Sequence, residues 1–170
     1  QLHFPENRYK NQHCRSFAAL KTCEFYTIMI RKYDKHDIEV VVSLWRSASE
    51  IAHSFLSKDF LDQEDDNMRN ICLAFAETWV IEVDSSVVGF IALIENEIGG
   101  LFLDPDFQGQ GLGRAMVDKA VTEKGSLKVE VFKENVIGRR FYDAYGFRKT
   151  EELFHEASGQ SIVRMTFSPT

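Results

Sequence analysis

One short loop constrains this chain more than any other feature, because three closely spaced glycines lie between a strand-like run and a helix-like run. The segment LFLDPDFQGQGLGRAMV, residues 101–117, carries them as Gly109, Gly111 and Gly113. Glycines allow positive φ angles and close approach, so the N–H groups of such a loop can converge on one point. The start of the following helix adds partial positive charge. The loop therefore predicts an anion site suited to phosphate, with a plain connecting turn as the alternative.

The residues around the glycines distinguish this loop from two other phosphate-binding loops. A Walker A loop ends in Gly-Lys followed by Ser or Thr, whereas here Arg114 and Ala115 follow the last glycine. A dinucleotide fingerprint has the spacing G-x-G-x-x-G in a parallel α/β domain, whereas these glycines run G-x-G-x-G after a predicted antiparallel meander. Arg114 opposes the helix dipole in the first turn but can bind a phosphate.

Length and charge limit the classes of function that remain. The 170 residues correspond to one domain, and 44% hydrophobic residues are enough for one sizeable core. The formal net charge of -6 disfavours nucleic acid as a partner, because that affinity rests mainly on Lys and Arg. A small cationic or amine-bearing substrate suits this charge better. No apolar run reaches the roughly 18 residues of a membrane span, so no membrane partner is expected.

The cysteines and the N-terminal residues give expectations about compartment and domain limits. Cys14, Cys23 and Cys72 are odd in number and form no C-x-x-C pair, which argues against a disulfide framework or a zinc site. No metal is expected, and the reducing cytoplasm is the expected location. The domain proper is assigned to residues 29–170. Residues 1–28 are interpreted as a native N-terminal extension, or as a leader or another remnant, because scattered charges do not fit a signal peptide.

Hydrophobic spacing and turn residues predict the order of helices and strands. Apolar residues at helical spacing indicate helices, and β-branched and aromatic runs indicate strands, while Gly125 and Gly146 are suited to end two of the helices. The predicted helices cover residues 34–57, 68–75, 112–124 and 135–145, and the polar stretch 62–67 is predicted to be a loop. The predicted strands cover residues 28–31, 78–83, 87–94, 98–103, 127–132, 147–154 and 162–167.

These elements predict an α/β (α+β) domain built on one mixed, mostly antiparallel twisted sheet. Three consecutive strands, with Asp84-Ser85-Ser86 as a turn between the first two, indicate an antiparallel meander. The strand–helix–strand unit around 98–132 needs a crossover, so its two strands should be parallel or nearly so. We expect six to seven strands with helices on both faces.

Two motifs resemble the GNAT superfamily of acetyl-CoA-dependent N-acyltransferases. The hexapeptide Gln108–Gly113 matches the family pattern [RQ]-x-x-G-x-[GA], and the preceding LFLDPDF is similar to the family's fourth strand. The downstream sequence VEVFKENVIGRRFYDAYGF resembles the fifth strand, an asparagine and a helix bearing a tyrosine. The resemblance covers about residues 29–167 and is strongest to small, single-domain bacterial members. It implies a GNAT-like fold and acetyl-CoA as cofactor, with CoA as the product.

The resemblance also implies roles for individual residues in binding acetyl-CoA. Main-chain groups of Leu101, Phe102 and Leu103 would pair with the pantetheine arm as though it were another strand. Asn135 would bond to the same arm. The pyrophosphate would be held by the loop residues Gln108, Gly109, Gln110, Gly111, Leu112, Gly113 and Arg114.

Direct attack of a neutral amine on the thioester needs a donor for the oxyanion and a proton for the leaving thiolate. A backbone N–H on the fourth strand of the family can serve as that donor. The resemblance places Tyr142 near the sulfur as general acid, and a phenol with a pKa of about 10 can protonate a thiolate whose thiol has a pKa of about 8.5. A plain core aromatic is the alternative, since Phe141 and Tyr145 share its helix.

Proton removal from the attacking amine has several candidate carboxylates. Strand alternation places Glu130 on the face opposite Val129 and Val131, and ribosomal-protein alanine acetyltransferases use a glutamate at the matching position. Glu95 and Glu97, just before the predicted fourth strand, are alternatives, as is a chain of waters. A solvated carboxylate without a catalytic role is the further interpretation for each.

The acceptor cannot be identified from the sequence, because the family builds its acceptor pocket from the first two helices and the last hairpin. His53 is interpreted first as a satisfied structural histidine. If functional, it would line the acceptor pocket, as would Trp45 and Phe55. The expected acceptor is a primary amine of a small molecule or a peptide. A homodimer through the C-terminal strands is a further option.

Three other functions compete with N-acetyl transfer. A non-catalytic acyl-CoA-binding sensor on the same fold is disfavoured because both Tyr142 and Asn135 are present. A toxin-type acetyltransferase acting on charged tRNA calls for a basic surface, which the net charge argues against. A mixed enzyme fold that binds a nucleotide other than CoA is the third.

Overall fold

The computed structural model describes residues 26–169, which form a seven-stranded sheet with helices on both faces. The sheet order is β1-β2-β3-β4-β5-β7-β6, and each neighbouring pair is antiparallel except the parallel pair β4 and β5. This architecture confirms the predicted mixed, mostly antiparallel sheet. The interpretation of residues 1–28 falls almost wholly outside the described residues. The strands are β1 (Ile28–Lys32), β2 (Glu77–Val83), β3 (Ser86–Ile94), β4 (Glu97–Leu103), β5 (Leu127–Phe132), β6 (Arg148–His155) and β7 (Gln160–Phe167).

Five α-helices and a π-helix accompany the sheet in this part of the chain. The π-helix, Met68–Cys72, joins the second and third α-helices into one continuous helical segment. No helix of residues 26–169 is long and apolar enough to cross a membrane. The α-helices are α1 (Ile38–Ala52), α2 (Lys58–Asn67), the one-turn α3 (Leu73–Phe75), α4 (Leu112–Lys124) and α5 (Val136–Tyr145).

The prediction of one long helix over residues 34–57 was wrong. A short 3-10 turn comes first, α1 then ends at Ala52, and the chain leaves the helical conformation at His53, with φ -125° and ψ 37°. The backbone N–H of His53 still donates to the Ser49 carbonyl at 2.8 Å, which closes the last turn. The apolar spacing that suggested a longer helix therefore continues into a turn that aims His53 inwards.

The prediction of a loop over residues 62–67 was also wrong, because these residues belong to α2. The hydroxyl of Ser57 accepts a hydrogen bond from the Phe60 N–H at 3.2 Å and caps the helix. An ion pair of 2.8 Å between Arg46 and Asp62 ties α2 to α1. The helix was not predicted because its residues are mostly polar and lack a broad apolar face; its cap and its ion pairs stabilise it instead.

The core consists of two clusters, one on each face of the sheet. Alternation along β2 sends Trp79 and Ile81 to one face and Val80 to the other. The first cluster packs α4 and α5 against the sheet, and the second packs α1, α2 and α3 against it. Each fully buried Val, Leu, Ile or Phe contributes about 1.5–3 kcal/mol relative to exposure.

Candidate active site

A gap between β4 and β5 forms the centre of the candidate site. Within the described chain, β4 pairs with β5 through Glu97 and Ile98 alone, and the two strands diverge beyond that point. The other edge of β4 stays paired with β3 as far as Leu103. The segment Leu101–Leu103 therefore has no strand partner on the β5 side, and an extended ligand can add there as a strand.

A β-bulge coincides with the start of this divergence. Ala92 of β3 opposes Gly100, while the next residue, Leu93, opposes Ile98, so Gly99 is left without a partner. Bulges bend the strand that carries them and increase its local twist. The glycines at positions 99 and 100 of the sequence thus turn β4 away from β5 and open the site.

The gap continues into a cleft of about 460 Å³ between α1 and α2 on one side and β4, β5 and α5 on the other. Most of its walls are apolar or aromatic. Its charged lining residues are Glu64 and Glu130, and no Lys or Arg of residues 26–169 lines it. Leu101, Phe102 and Leu103 all contribute to its walls. The structure therefore brings the predicted pantetheine segment to an apolar, weakly acidic cleft.

The glycine loop has the geometry of an anion site. Gly109 and Gly111 have φ angles of 74° and 85°, which L side chains rarely adopt. Gly111 is the N-cap of α4 and has no side-chain cap, so the N–H groups of the first turn keep their capacity to bind an anion. Gly113 packs closely, because a Cβ there would lie 3.2 Å from Cε2 of Phe141 and 3.4 Å from Cδ1 of Leu103.

The side chains beside the glycines hold the loop in shape. The amide of Gln110 donates to the Asp106 carbonyl at 3.2 Å, while that of Gln108 reaches the Leu103 carbonyl at 3.4 Å. The guanidinium of Arg114 lies 5.0 Å from the ring centre of Tyr145 and forms no ion pair within the described chain. Gln108 and Gly113 also line the cleft, which places the loop at one of its ends.

Tyr142 is the buried tyrosine of α5, with 6% of its surface exposed, and it lines the cleft. The rings of Phe141 and Phe147 each lie 5.1 Å from its own ring. Burial raises the pKa of its hydroxyl above the usual value, so the proton stays on the oxygen at neutral pH. Among residues 26–169 the hydroxyl has no hydrogen-bond partner, which leaves it available to a ligand.

Asn135 and His53 meet across the cleft. Asn135 caps α5, since its Oδ1 accepts from the Gly138 N–H at 2.8 Å. Its Nδ2 lies 3.0 Å from Nε2 of His53. The His53 ring packs edge-on against Phe102 and Phe132, and burial lowers its pKa to about 4. A neutral imidazole therefore accepts the hydrogen bond from the asparagine at physiological pH.

Glu130 lines the cleft from the middle of β5, opposite in direction to its buried neighbours Val129 and Val131. Its Oε1 lies 3.0 Å from Nε and 2.5 Å from Nη2 of Arg164 on β7. The structure thus places this carboxylate in an ion pair within the cleft wall.

The two alternative carboxylates lie outside the walls of the cleft. Glu95 sits in the turn after β3 with φ 56°, and Glu97 pairs with Lys128 at 3.0 Å. Trp45 and His53 line the cleft, while Phe55 packs against the rings of His53 and Phe132, and the acceptor-pocket role of all three stays a prediction.

The sequence analysis assigned no site role to three polar residues that line the cleft, Ser49, Glu64 and His155. His155 of β6 packs its ring 5.9 Å from that of Phe132. Ser49 and Glu64 line the cleft from α1 and α2. Glu64 had a signal, because it lies three residues after Leu61 and four before Met68, but that spacing has meaning only once the segment is known to be helical.

Comparison with known proteins decides the family. The family model described as "Acetyltransferase (GNAT) domain" matches residues 74–149. The peptidyl-lysine N-acetyltransferase YjaB of Salmonella typhimurium is 32% identical over 124 residues, which cover 72% of this chain and 85% of that protein. The chain belongs to the GNAT acetyltransferase family. Membership confirms the expected acyltransferase enzyme, and the relatives support N-acetyltransferase activity.

Other GNAT relatives and solved structures agree with this assignment. The peptidyl-lysine N-acetyltransferase YiaC of Escherichia coli is 27% identical over 120 residues, 70% of this chain and 82% of its own. The solution structure of apo YjaB from Escherichia coli superposes with a TM-score of 0.76 at 27% identity, covering 84% of this chain and 99% of that one.

Two further GNAT structures contain the donor or its product. PaiA N-acetyltransferase of Thermoplasma acidophilum, in complex with coenzyme A, gives a TM-score of 0.66 at 18% identity, covering 82% of this chain and 99% of that one. The structure of YncA from Salmonella typhimurium with acetyl-CoA gives a TM-score of 0.60 at 16% identity, covering 83% of this chain and 93% of that one. Both structures share the fold of this chain.

Proposed function

We propose that the protein transfers the acetyl group of acetyl-CoA to a primary amine of a small molecule or a peptide by direct attack, with Tyr142 as general acid. The observation that carries this proposal is the convergence of three features on one cleft. These are the unpaired edge of β4, the glycine loop at the start of α4, and the Tyr142 hydroxyl. The named relatives are peptidyl-lysine N-acetyltransferases, which supports an amine acceptor.

The donor would lie along the open edge of β4. The loop from Gln108 to Arg114 would hold the pyrophosphate through backbone N–H groups and the N-terminus of α4. Leu101–Leu103 would pair with the pantetheine arm through main-chain groups. Asn135, whose amide is already held by two hydrogen bonds, keeps one N–H that can bind the same arm.

Each charge that develops during acetyl transfer would then meet a fixed group. A β4 backbone N–H would stabilise the tetrahedral oxyanion, which in other enzymes is worth about 10²–10³ in rate. The amine nitrogen first bonds to the carbonyl carbon, and collapse of the tetrahedral intermediate then breaks the carbon–sulfur bond as the departing thiolate takes the proton of Tyr142. Burial raises the pKa of this phenol, which keeps the proton on the oxygen until the thiolate appears but also makes the phenol a weaker acid, so proton transfer must be coupled to cleavage of the carbon–sulfur bond.

The attacking amine must lose a proton before or during attack. Of the three candidate carboxylates, Glu130 is the one that lines the cleft, and its ion pair with Arg164 fixes its position. We therefore propose that a chain of waters in the cleft relays the amine proton to Glu130.

A matched pair of tyrosine variants tests the proposal. Tyr142→Phe should lower kcat for amine acetylation by about 10²-fold or more and leave the Kd for acetyl-CoA unchanged, since it removes the acid alone. Tyr145→Phe, on the same helix but hydrogen-bonded to Asp118 outside the cleft, should keep kcat within about twofold. Equal activity of wild type and Tyr142→Phe would exclude Tyr142 as the acid. An acyl-CoA sensor would bind the donor with no turnover of any amine.

A further inference from the structure

Glu64 is a carboxylate on the apolar face of an otherwise solvent-facing acidic helix. It lies between Leu61 and Met68 at helical spacing, and both of these side chains are buried. Glu64 itself is half-buried and lines the cleft. Its Oε1 accepts a hydrogen bond from Nδ2 of Asn67 at 2.9 Å. The carboxylate therefore belongs to the cleft wall, whereas Asp59, Asp62 and Asp66 of the same helix are exposed.

No cation of the described chain balances Glu64. Its neighbours on α2 differ, since Asp62 pairs with Arg46 at 2.8 Å and Asp65 pairs with Arg69 at 2.7 Å. The other carboxylate in the cleft walls is also paired, and the walls contain no Lys or Arg. A partly desolvated charge among apolar groups is unfavourable unless an opposite charge joins it. Glu64 is thus the one lining charge, within residues 26–169, that a ligand would have to neutralise.

A second, independent group lines the same cleft. Ser49 of α1 is fully buried and lines the cleft, and its hydroxyl oxygen has no hydrogen-bond partner among the described residues. Buried hydroxyls are normally hydrogen-bonded, often to a carbonyl of the preceding helical turn. An unpaired hydroxyl in a ligand cleft is consistent with a partner that the ligand supplies.

The backbone of this wall is also unusual. Residues Met68–Cys72 form a π-helix directly after α2, and Met68 and Cys72 both line the cleft. Such turns are rare and occur frequently at functional sites. Burial, together with the charge of Glu64, raises the pKa of the Cys72 thiol.

We infer that Ser49 and Glu64 bind a second ammonium group of the acceptor, so that the preferred substrate is an aliphatic diamine. This inference rests on the proposed function and specifies its acceptor. The ammonium donates hydrogen bonds to the Glu64 carboxylate and to the Ser49 hydroxyl. The methylene chain lies along apolar walls that include Trp45 and Leu73, and the other amine, in its neutral form, reaches the thioester. A peptide lysine next to a further cation offers the same chemistry.

Two amines that differ in one terminal ammonium isolate this contact. Binding of 1,5-diaminopentane and of 1-aminopentane to the CoA-loaded protein is measured by calorimetry, beside turnover with acetyl-CoA. Wild type should bind the diamine at least about tenfold more tightly, the effect of one charge-assisted contact. Glu64→Gln should abolish this preference and leave the Kd for 1-aminopentane and for acetyl-CoA unchanged. Asp66→Asn, which removes an exposed charge from the same helix, should retain the preference.

Ser49→Ala provides a second test that does not change charge. It should weaken diamine binding severalfold while the melting temperature does not fall. Thr78→Val is its control, because Thr78 also carries a buried, unpartnered hydroxyl but does not line the cleft. Thr78→Val should leave both amine affinities unchanged.

Two outcomes would overturn the inference. The first is that wild type binds the two amines with equal affinity. The second is that Glu64→Gln weakens the binding of both amines equally, which would mean that Glu64 contacts the reacting ammonium itself. Lysine peptides with a second lysine or with norleucine in its place distinguish a peptide source from a free diamine. A Glu64-dependent preference without turnover would count against the proposed function alone, since the binding measurement stands independently.

Discussion

At the scale of single residues, the hydrogen bond from Asn135 fixes the tautomer of the His53 ring. Because Oδ1 of Asn135 accepts from the Gly138 N–H, the amide can only present Nδ2 to the histidine. Nε2 of His53 must then be the acceptor, and the neutral ring carries its proton on Nδ1. The lone pair that could remove a proton from an amine is therefore already engaged. In the proposed complex with acetyl-CoA, His53 would be a positioning residue that orients Asn135 towards the pantetheine arm.

Burial of His53 predicts a specific pH dependence of stability. Its pKa falls from about 6.5 when unfolded to about 4 in the folded protein. Above pH 6.5 both states are neutral and the full stability is present. As the pH falls from 6.5 to 4, the unfolded state binds the proton and the folded state does not. Stability is lost across this window by up to about 3 kcal/mol.

The variant His53→Gln tests this dependence, because glutamine can still accept a hydrogen bond from Asn135 but does not titrate. Urea unfolding should show that the free energy of unfolding falls less between pH 7 and pH 4.5 in His53→Gln than in wild type. His36→Gln, at an exposed histidine, should lose as much as wild type. An acid loss equal in all three proteins would contradict the account of a buried neutral His53.

At the scale of elements, α4 carries a glycine with positive φ at each end. Gly111 at the N-terminus has φ 85°, and Gly125 after the C-terminus has φ 72°. In both positions a Cβ would meet nothing within 4 Å, so alanine adds backbone strain without a clash. The two ends differ in chemistry, since the first faces the expected pyrophosphate and the second ends the helix.

Alanine at these two glycines separates binding from stability. Gly111→Ala should lower the free energy of unfolding by about 1–2 kcal/mol, the strain of a left-handed alanine, and Gly125→Ala by at least about as much, because its φ of 72° and ψ of -107° lie outside the left-handed helical region. Only Gly111→Ala should also weaken acetyl-CoA binding, by tenfold or more, because the strained backbone moves the N–H groups of the loop. Equal acetyl-CoA affinity in both variants, measured by calorimetry, would argue against a phosphate site at this loop.

The elements that carry glycine signals were predicted well. Gly125 and Gly146 end α4 and α5 as expected, and the turn at Asp84-Ser85 joins β2 to β3. The acidic helix α2 was missed, since a helix with one buried apolar residue has almost no periodicity to read. The π-helix after it has no sequence signature of its own, and the unpaired state of Glu64 depends on contacts between α1, α2 and the sheet.

At the scale of the whole molecule, divergence of two parallel strands creates the site. The sequence indicates the crossover between β4 and β5, and the pairing is parallel as predicted. It does not indicate that the pairing ends after two residues, because that depends on the bulge at Gly99 and on the twist of the complete sheet. In the proposed function the same divergence lets one cleft serve donor and acceptor, with α4 and α5 on one face of the sheet and α1 and α2 on the other.

A homodimer through the C-terminal strands stays a prediction. β6 is an edge strand of the sheet, and its sequence RKTEELFH carries four charged residues near its start. Charged edge strands resist pairing with another copy.

The central claim is that the loop and cleft bind acetyl-CoA, and isothermal titration of the purified protein with acetyl-CoA, beside free CoA and NAD, tests it most directly. We predict a Kd on the order of micromolar for acetyl-CoA and for CoA, or about -8 kcal/mol, and no binding of NAD. Absence of acetyl-CoA binding to the folded protein would contradict the claim, and the glycine loop would then be a connecting turn or a site for a different phosphate ligand.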